Sequence, residues 1–222
     1  MWVEKIAKEP ATDSVAADYA RRSTTVKMPL MTDSISALHA PTLLISMPQV
    51  QDPFFHRSVV LLTAHEDDGS LGFVVNRPTD LHLRQILEDM EIPWNGGEDH
   101  AAFMGGPVHP QVGTILYAAD TPEFGDDALE VGPGLHFTQS LEALRSFAQR
   151  PPSKMRLVLG YAGWRPGQLL EEVQRNDWLT APLQNDLIFA TDPDLVWDEA
   201  IASVGIDPST LPSWTDGDSG AN

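Results

Sequence analysis

The sequence predicts a single-domain α+β fold, and three observations support this prediction. Two apolar segments separated by an Asp-Gly turn form an early β-hairpin rather than a strand–helix–strand unit. Strands and helices do not alternate strictly along the rest of the chain. A chain of 222 residues buries roughly 70% of its unfolded surface, so it needs no metal or disulfide to complete its core.

The first part of the compact region is predicted to consist of strands. Thr42–Ser46 forms the first strand, and Ser58–Ala64 and Leu71–Val75 form a hairpin around a turn at Glu66–Ser70. Asp68-Gly69 supplies the backbone freedom that a tight turn requires. Both hairpin strands are almost continuously apolar, so we expect the hairpin to be covered on both faces.

A helix is predicted next, with Asp80 as its N-cap. Its apolar residues recur at helical spacing: Leu83, Ile86, Leu87 and Met90. Strands are expected near Ala101–Met104 and Thr114–Ala118. An acidic connection rich in glycine and proline then runs from Asp120 to Gly134.

The last third of the compact region mixes strands and helices. We predict strands over "LHFT", "MRLVLGY" and "DLIFAT", and a helix over Ser140–Ala148. A final helix has the clearest boundaries, with Asp192 as its cap, Pro193 in its first position and Gly205 after its end. Its predicted apolar face consists of Trp197, Ala200, Ile201 and Val204.

The two ends of the chain differ from this compact region. Residues 1–37 have mixed charge and weak periodicity, and we expect a poorly ordered N-terminal extension. The domain is predicted to span residues 38–211. Residues 212–222 are polar, with several glycine and aspartate residues, and are expected to form a flexible acidic tail.

Composition excludes several classes of site. The chain has no cysteine, which rules out disulfides, thiolate zinc sites, iron–sulfur clusters and a cysteine nucleophile. No apolar run approaches the ~18 residues that cross a membrane, and the N-terminus lacks the apolar core of a secretory signal. We therefore expect a cytoplasmic protein without a membrane partner.

The charge balance argues against direct binding of nucleic acid. The chain has 14 basic and 32 acidic residues, for a formal net charge of -18. Five of the basic residues lie within the first 27 positions, so the rest of the chain repels phosphate backbones. An acidic surface commonly serves solubility. The expected partner is a small anionic ligand or another protein.

The sequence lacks the common catalytic signatures. There is no G-x-S-x-G elbow, no phosphate-binding G-x-x-x-x-G-K-[ST], no H-E-x-x-H and no G-x-G-x-x-G after a strand. "HEDDG" at 65–69 has cation-binding side chains, but its spacing is more typical of a hydrated hairpin turn. We predict no metal and no cofactor, although His65 can face a cleft from the strand end.

Charged residues at the open end of the hairpin are candidates for anion binding. Asp52 is predicted to cap a turn, while Arg57 can pair with that carboxylate or bind an anion. Asn76 and Arg77 close the other strand, and the hairpin brings its two ends together. The arginines could form one positive site, but a separate structural ion pair for each is at least as well supported.

Two glycine-rich turns are further candidates. Gly105-Gly106 can present backbone amides to an anion, although a tight exit from the strand is the favoured interpretation. In "GYAGWRPGQLLEEV", Pro166 can start a helix that ends near Arg175. Tyr161, Trp164 and Gln168 then offer stacking and hydrogen bonds beside the amides of the helix N-terminus. A purely structural strand-to-helix turn is supported equally well.

Three segments in this order are similar to the AlgH/YqgE family of bacterial proteins. They are "PTLLISMPQVQDPFFHRSVVLLTAHEDDGSLGFVVNRP", "FMGGPVHPQVGTILY" and "LGYAGWRPGQLLEEVQRNDWLTAP". The resemblance runs from about Leu38 to Leu211, and it implies a bifurcated, partly barrel-like mixed sheet surrounded by helices. It implies little about function, since the family is largely uncharacterised and some members are described as transcriptional regulators.

The resemblance also identifies motif positions and departures from the family pattern. The matching positions are Pro48, Asp52, Arg57, His65, Asn76, Arg77, Gly105, Gly106, Tyr161, Trp164, Gly167 and Gln168. Leu170 replaces a usual glutamate, whereas Glu172 keeps the second glutamate of that motif. Tyr117 replaces a familiar histidine, and Ala181 stands where some members have cysteine. A thiol redox role therefore cannot operate in this chain.

These observations together favour a non-enzymatic cytosolic protein that binds a small ligand or a protein and regulates transcription indirectly. The candidate cleft consists of Asp52, Arg57, His65, Asn76, Arg77, Gly105, Gly106, Tyr161, Trp164, Gly167, Gln168 and Glu172. None of these residues is assigned a catalytic role in this interpretation. The alternative is a hydrolase or transferase for a phosphorylated or other anionic substrate, with Asp52, His65 or Glu172 as general base.

Overall fold

A computed structural model describes residues 38–97, 99–118 and 128–212. The predictions for the N-terminal extension, for the tail after residue 212 and for residues 120–127 of the acidic connection lie outside this range. Among the described residues there are ten strands, five α-helices and one short 3-10 helix.

The strands have the following bounds in chain order: β1 (Thr42–Ser46), β2 (Val59–Glu66), β3 (Gly69–Val74), β4 (Pro78–His82), β5 (Ala101–Met104), β6 (Val108–Ala118), β7 (Leu129–Gly132), β8 (Leu135–Thr138), β9 (Met155–Trp164) and β10 (Trp178–Ala181). The helices are α1 (Leu83–Asp89), α2 (Leu141–Gln149), α3 (Gln168–Gln174), α4 (Asn185–Phe189), α5 (Val196–Ser203) and the 3-10 turn Pro208–Thr210.

The strands form one mixed sheet that forks at β9. Its main path runs β10-β1-β2-β3-β9-β6-β8-β7, and every pair on this path is antiparallel. Two strands pair with successive parts of the same edge of β9. Residues 162–164 pair with β3, whereas Val158 and Leu159 pair in parallel with β5. Strand β4 extends this second branch. The predicted α+β fold with a bifurcated mixed sheet is confirmed.

Glycine is required at the point where β9 changes partner. Gly160 has φ +72°, and a Cβ there would lie 2.5 Å from the Gly106 carbonyl oxygen. The Gly105 N–H donates to the Leu159 carbonyl at 2.7 Å, so the two glycine-rich turns cross in direct contact. A side chain at this crossing would push the branches of the sheet apart.

Three buried clusters fill the space around the sheet. The α5 cluster packs α5 against β1–β3 and includes Phe73, and the helix-pair cluster packs α1 and α2 against β6 and β9 around Phe147. The tryptophan cluster covers the other face of β1–β3 with α3, Trp164 and Trp178. Because apolar residues of the hairpin belong to both the α5 and the tryptophan clusters, its predicted burial on both faces is confirmed.

Two predicted caps are wrong. Asp80 lies inside β4, and His82 occupies the N-cap position of α1 without a side-chain cap. Asp192 does not cap α5 directly, since the helix begins at Val196. Instead, the Asp192 carbonyl accepts from the N–H groups of Leu195 and Val196, which forms a turn before the helix.

One predicted strand is a helix. "DLIFAT" contains α4, in which Leu187 and Ile188 are buried while the chain turns back after β10. Burial of two adjacent apolar residues outweighs the preference of this run for extended backbone. Strands β4, β7 and β10 were not predicted, because each has only four or five residues and no continuous apolar run. None of the helices among the described residues is long and apolar enough to span a membrane.

Candidate functional site

The Glu172 side chain on α3 is the centre of a partly buried hydrogen-bond cluster. Its Oε2 accepts from the indole N–H groups of Trp164 at 2.8 Å and Trp178 at 2.9 Å. Its Oε1 accepts from the Gln168 side-chain amide at 2.9 Å. The Gln168 side-chain Oε1 in turn accepts from the Arg165 backbone N–H at 3.1 Å, which fixes the turn between β9 and α3.

Aromatic packing surrounds this cluster. The indoles of Trp164 and Trp178 are only 6% and 3% exposed and meet edge to face, with centroids 5.9 Å apart. The Phe55 ring contacts both, at centroid distances of 6.2 and 5.6 Å. The arrangement joins β9, α3, β10 and the loop before β2. Of the two interpretations of the "GYAGW" turn, these contacts support the structural one.

The Arg57 side chain contacts two residues of α5. Its Nη2 lies 2.9 Å from both carboxylate oxygens of Asp198, and its guanidinium lies 4.3 Å above the centroid of the Trp197 ring. Arg57 also has φ 49°, an uncommon conformation outside glycine. It therefore forms the separate structural ion pair, with Asp198 rather than with Asp52.

The Arg77 guanidinium has a different environment. Its Nη2 donates to the His56 carbonyl, while its buried Nε–H has no acceptor among the described residues. Burial lowers the pKa of Arg77, and the nearby Asp52 carboxylate partly offsets this effect. Arginine nevertheless stays charged at neutral pH. A buried guanidinium N–H without an acceptor is costly, so Arg77 is the strongest candidate for binding an anion.

Arg77 lines an open cavity of about 380 Å³. The other lining residues are Pro53, Phe54, Asn76, Pro78, Thr79, Met104 and Asp194. Two polar members already serve the fold, since Asn76 bonds to the backbone at Val59 and Arg57, and the Thr79 hydroxyl donates to Ala102. The cavity thus combines one guanidinium, one carboxylate and a largely apolar wall.

Asp52 performs the predicted role in the loop beside this cavity. Its Oδ1 accepts from the Phe54 N–H at 2.8 Å, and its carbonyl accepts from the N–H groups of Phe55 and His56. The turn places Phe54 over the cavity and aims the His56 carbonyl at Arg77.

His65 lies near the hairpin turn rather than in the cavity lining. Its Nδ1 is 2.7 Å from the Ser70 hydroxyl, and Ser70 pairs with Trp164 across β3 and β9. Burial lowers the pKa of His65, opposed by the charges of Glu66 and Asp67. Its ring is therefore predominantly neutral at pH 7. Among the described residues, no group of three or more histidine and acidic side chains could hold a metal ion.

The remaining candidates serve backbone geometry or packing. Gly105 and Gly106 form the crossing at Gly160, and Gly167 adopts φ 76° as the N-cap of α3. The Tyr161 ring stacks on His109 with centroids 5.9 Å apart. Gly105 donates its N–H to the sheet, which argues against an anion-binding nest at this turn.

The candidate residues are thus distributed over several places. Trp164, Gln168 and Glu172 are brought together, while Asn76 and Arg77 share the cavity with Asp52 beside it. His65, Arg57 and the glycine crossing belong to neither group.

Sequence reasoning missed three residues around these places. Asp194 and Trp178 are distant in sequence from Arg77 and Trp164, and no local pattern pairs them. Arg156 is only 8% exposed, stacks over Phe103 at 3.9 Å and donates to the Val75 carbonyl. Burial lowers the pKa of Arg156 to about 10. A lone cation within the apolar strand "MRLVLGY" was the available signal.

Comparison with known proteins identifies close relatives. A family model described as AlgH-like (DUF179) matches residues 43–209. A UPF0301 protein of Cereibacter sphaeroides is 42% identical over 175 residues, which cover 78% of this chain and 95% of the relative. A UPF0301 protein of Myxococcus xanthus is 37% identical over 173 residues, with 78% and 94% covered.

Solved structures agree with the fold. The solution structure of the AlgH protein from Pseudomonas aeruginosa has a TM-score of 0.66 at 30% identity, covering 83% of this chain and 100% of that one. A Corynebacterium diphtheriae protein, DIP2367, has a TM-score of 0.62 at 23% identity, with 76% and 88% covered, and supports the fold alone.

Proposed function

The chain belongs to the AlgH-like family, and on this basis we propose that it is a cytosolic regulatory protein that binds a small anionic ligand at Arg77. The observation that carries the proposal is the Arg77 guanidinium, which lines a cavity of about 380 Å³ and donates only to the His56 carbonyl among the described residues, while its Nε–H has no acceptor there. This volume is within the range of small-molecule sites. A carboxylate or similar anion can accept from a guanidinium through two parallel hydrogen bonds.

The lining of the cavity favours binding over catalysis. Its described residues include no histidine, lysine or tyrosine, and the one hydroxyl, of Thr79, donates to Ala102. Glu172 accepts three hydrogen bonds in the tryptophan cluster, and His65 is paired with Ser70. A hydrolase or transferase would need a base within reach of its substrate. Two carboxylates accompany Arg77: the Oδ1 of Asp52 already holds the loop, and Asp194 has no histidine in the cavity lining with which to form an acid–base pair.

The regulatory part of the proposal does not involve contact with DNA. A chain with a formal net charge of -18 lacks the positive surface that neutralises phosphates. A ligand-dependent contact with another protein is the simpler route. Full-length protein is therefore expected to show no tight, salt-sensitive binding to duplex DNA in a mobility-shift assay, and such binding would contradict this part of the proposal.

The ligand site can be tested directly by NMR and thermal denaturation. Small anions, including acetate, inorganic phosphate and free amino acids, are titrated into the full chain while the Arg77 Nε–H resonance is followed. A ligand at about a hundred times its Kd adds roughly 2.7 kcal/mol, which raises Tm by about 5–11 °C for a chain of this size.

Two matched variants distinguish binding at Arg77 from a general effect of the protein's charge. Arg77→Gln is expected to abolish the thermal shift, whereas Arg145→Gln removes the same charge from an exposed position on α2 and should leave the shift unchanged. Equal loss in both variants, or a panel in which no anion perturbs the Arg77 resonance, would refute the proposed site.

A further inference from the structure

We infer that the Arg77 cavity selects an amino-acid-like zwitterion with an apolar side chain over phosphate and other purely anionic ligands. The inference rests on the proposed function, since it specifies which ligand the same cavity binds. Three properties of the lining support it: a single guanidinium, an exposed carboxylate to which no described residue donates, and an apolar wall.

The guanidinium has capacity for a single carboxylate. Arg77 already donates one hydrogen bond to the His56 carbonyl, and its Nε–H remains without an acceptor among the described residues. Few other polar donors in the lining can assist, because the Asn76 and Thr79 side chains are bonded to the backbone. A phosphate group, which accepts hydrogen bonds on three oxygens, would find few donors here.

The second property is the Asp194 carboxylate. Asp194 lines the same cavity and is exposed, and no donor among the described residues bonds to its side chain. The Asp194 backbone N–H donates to Asp192, which holds the residue in the turn before α5. An ammonium group carried by the ligand would find its counter-charge at Asp194.

The surrounding charges favour the same ligand. Asp52 interacts electrostatically with Arg77, so two carboxylates accompany one guanidinium at this site. A purely anionic ligand gains from Arg77 but is repelled by Asp52 and Asp194, and by the net charge of the whole chain. A zwitterion gains from Arg77 with its carboxylate and from Asp194 with its ammonium group.

The third property is the wall that would receive the ligand side chain. It consists of Pro53, Phe54, Pro78 and Met104. Phe54 is 39% exposed, and it is one of four exposed large apolar residues among those that the structure describes. An aliphatic or aromatic ligand side chain would cover this ring and remove its surface from water.

The test compares four probes by isothermal titration calorimetry and by the Arg77 Nε–H resonance of the full chain. L-leucine carries both charges, N-acetyl-L-leucine keeps only the carboxylate, L-leucinamide keeps only the ammonium group, and inorganic phosphate is a multivalent anion. Leucine is expected to bind at least tenfold more tightly than each of the other three. Phosphate binding as tight as leucine binding would overturn the inference.

Variants at Asp194 decide the question even if Arg77→Gln fails to fold. Asp194→Asn changes an exposed side chain and should reduce the preference for leucine over N-acetyl-L-leucine to less than threefold. Asp89→Asn removes a carboxylate from the exposed end of α1 and should leave the preference unchanged. An unchanged preference in Asp194→Asn would overturn the inference.

The failures of the two proposals can be distinguished. If N-acetyl-L-leucine or phosphate binds in an Arg77-dependent manner as tightly as leucine, the proposed ligand site stands and its selectivity for zwitterions is refuted. If no probe perturbs the Arg77 resonance, both the proposed site and this inference are refuted.

Discussion

Replacement of Glu172 by alanine should strongly destabilise the protein. The carboxylate accepts hydrogen bonds from two indole N–H groups that are almost fully buried, those of Trp164 and Trp178. Truncation removes the shared acceptor of both donors. The Gln168 amide also loses its acceptor, but it is only half-buried and can turn to water.

The magnitude follows from these contacts. A hydrogen bond to a charged group contributes about 1.5–3 kcal/mol, and leaving a buried donor unpaired costs about 1–3 kcal/mol. Because the two indoles share one oxygen, their contributions do not add fully. We expect Glu172→Ala to lower the free energy of unfolding by about 3–5 kcal/mol, a large fraction of the ~5–15 kcal/mol typical of a domain.

Urea denaturation followed by tryptophan fluorescence and circular dichroism measures this loss. Glu171→Ala is the matched control, because it changes the adjacent, exposed residue of the same helix and should shift the stability by no more than about 0.5 kcal/mol. The variant Glu172→Gln, which retains an oxygen acceptor, should lose less than Glu172→Ala.

A double-mutant cycle tests the assigned cause. In a Trp164→Phe/Trp178→Phe background the indole donors are absent, so Glu172→Ala should cost much less than in the natural protein. The reasoning is refuted if Glu172→Ala costs less than about 1 kcal/mol in the natural protein, below the usual range for charged hydrogen bonds. An equal cost in the two backgrounds would refute it as well.

Three further predictions concern backbone, ion pair and pH. Gly160→Ala should cost about 3 kcal/mol or more, because φ is +72° and a Cβ would meet a carbonyl oxygen at 2.5 Å. Gly113→Ala, with ordinary contacts at 3.4 Å, should instead stabilise by about 0.4–1 kcal/mol in the same urea assay. Arg57→Ala should lower the free energy of unfolding by about 1–2 kcal/mol, because it removes the half-exposed ion pair with Asp198 and the contact with the Trp197 ring. Arg57→Gly should lower it less, because glycine adopts the positive φ without strain. A larger loss for the glycine variant would contradict this assignment. The pKa of His65 is lowered in the folded protein, so its contribution to stability is present above pH 6.5 and is lost as the pH falls through the folded pKa. The urea midpoint of His65→Gln should therefore depend less on pH between 7.5 and 5 than that of the natural protein. An unchanged pH dependence of the midpoint would argue against this assignment.

The fold was predictable where the chain carries its own local signals. The hairpin followed from two continuous apolar strands and Asp68-Gly69, and the helix predicted over Ser140–Ala148 is α2, which the structure shows to be capped by Ser140. The helix α4 was not predictable, because a run of Leu187, Ile188 and Phe189 has no period and packing alone decides its conformation.

The site was less predictable than the fold, because its partners are distant in sequence. Gln168 and Glu172 are one helical turn apart, so their proximity could be anticipated. Arg57 meets Asp198 across 141 positions, and Asp194 reaches the Arg77 cavity only through the packing of the segment before α5. Single-sequence patterns carry no information about such pairings.

The position of β9 also has a consequence for synthesis on the ribosome. This strand joins the β3 branch, the β5 branch and β6, yet its last pairing residue, Trp164, follows Val74 at the end of β3 by about 90 residues. At the usual synthesis rate of ~5–20 residues per second, the pairing residues of β9 are synthesised about 5–20 s after the apolar hairpin. Pairing between β1 and β10 comes later still, with Thr42 and Ala181 139 positions apart. The nascent chain therefore exposes an apolar sheet edge for seconds, and such an edge can pair with other chains until β9 covers it.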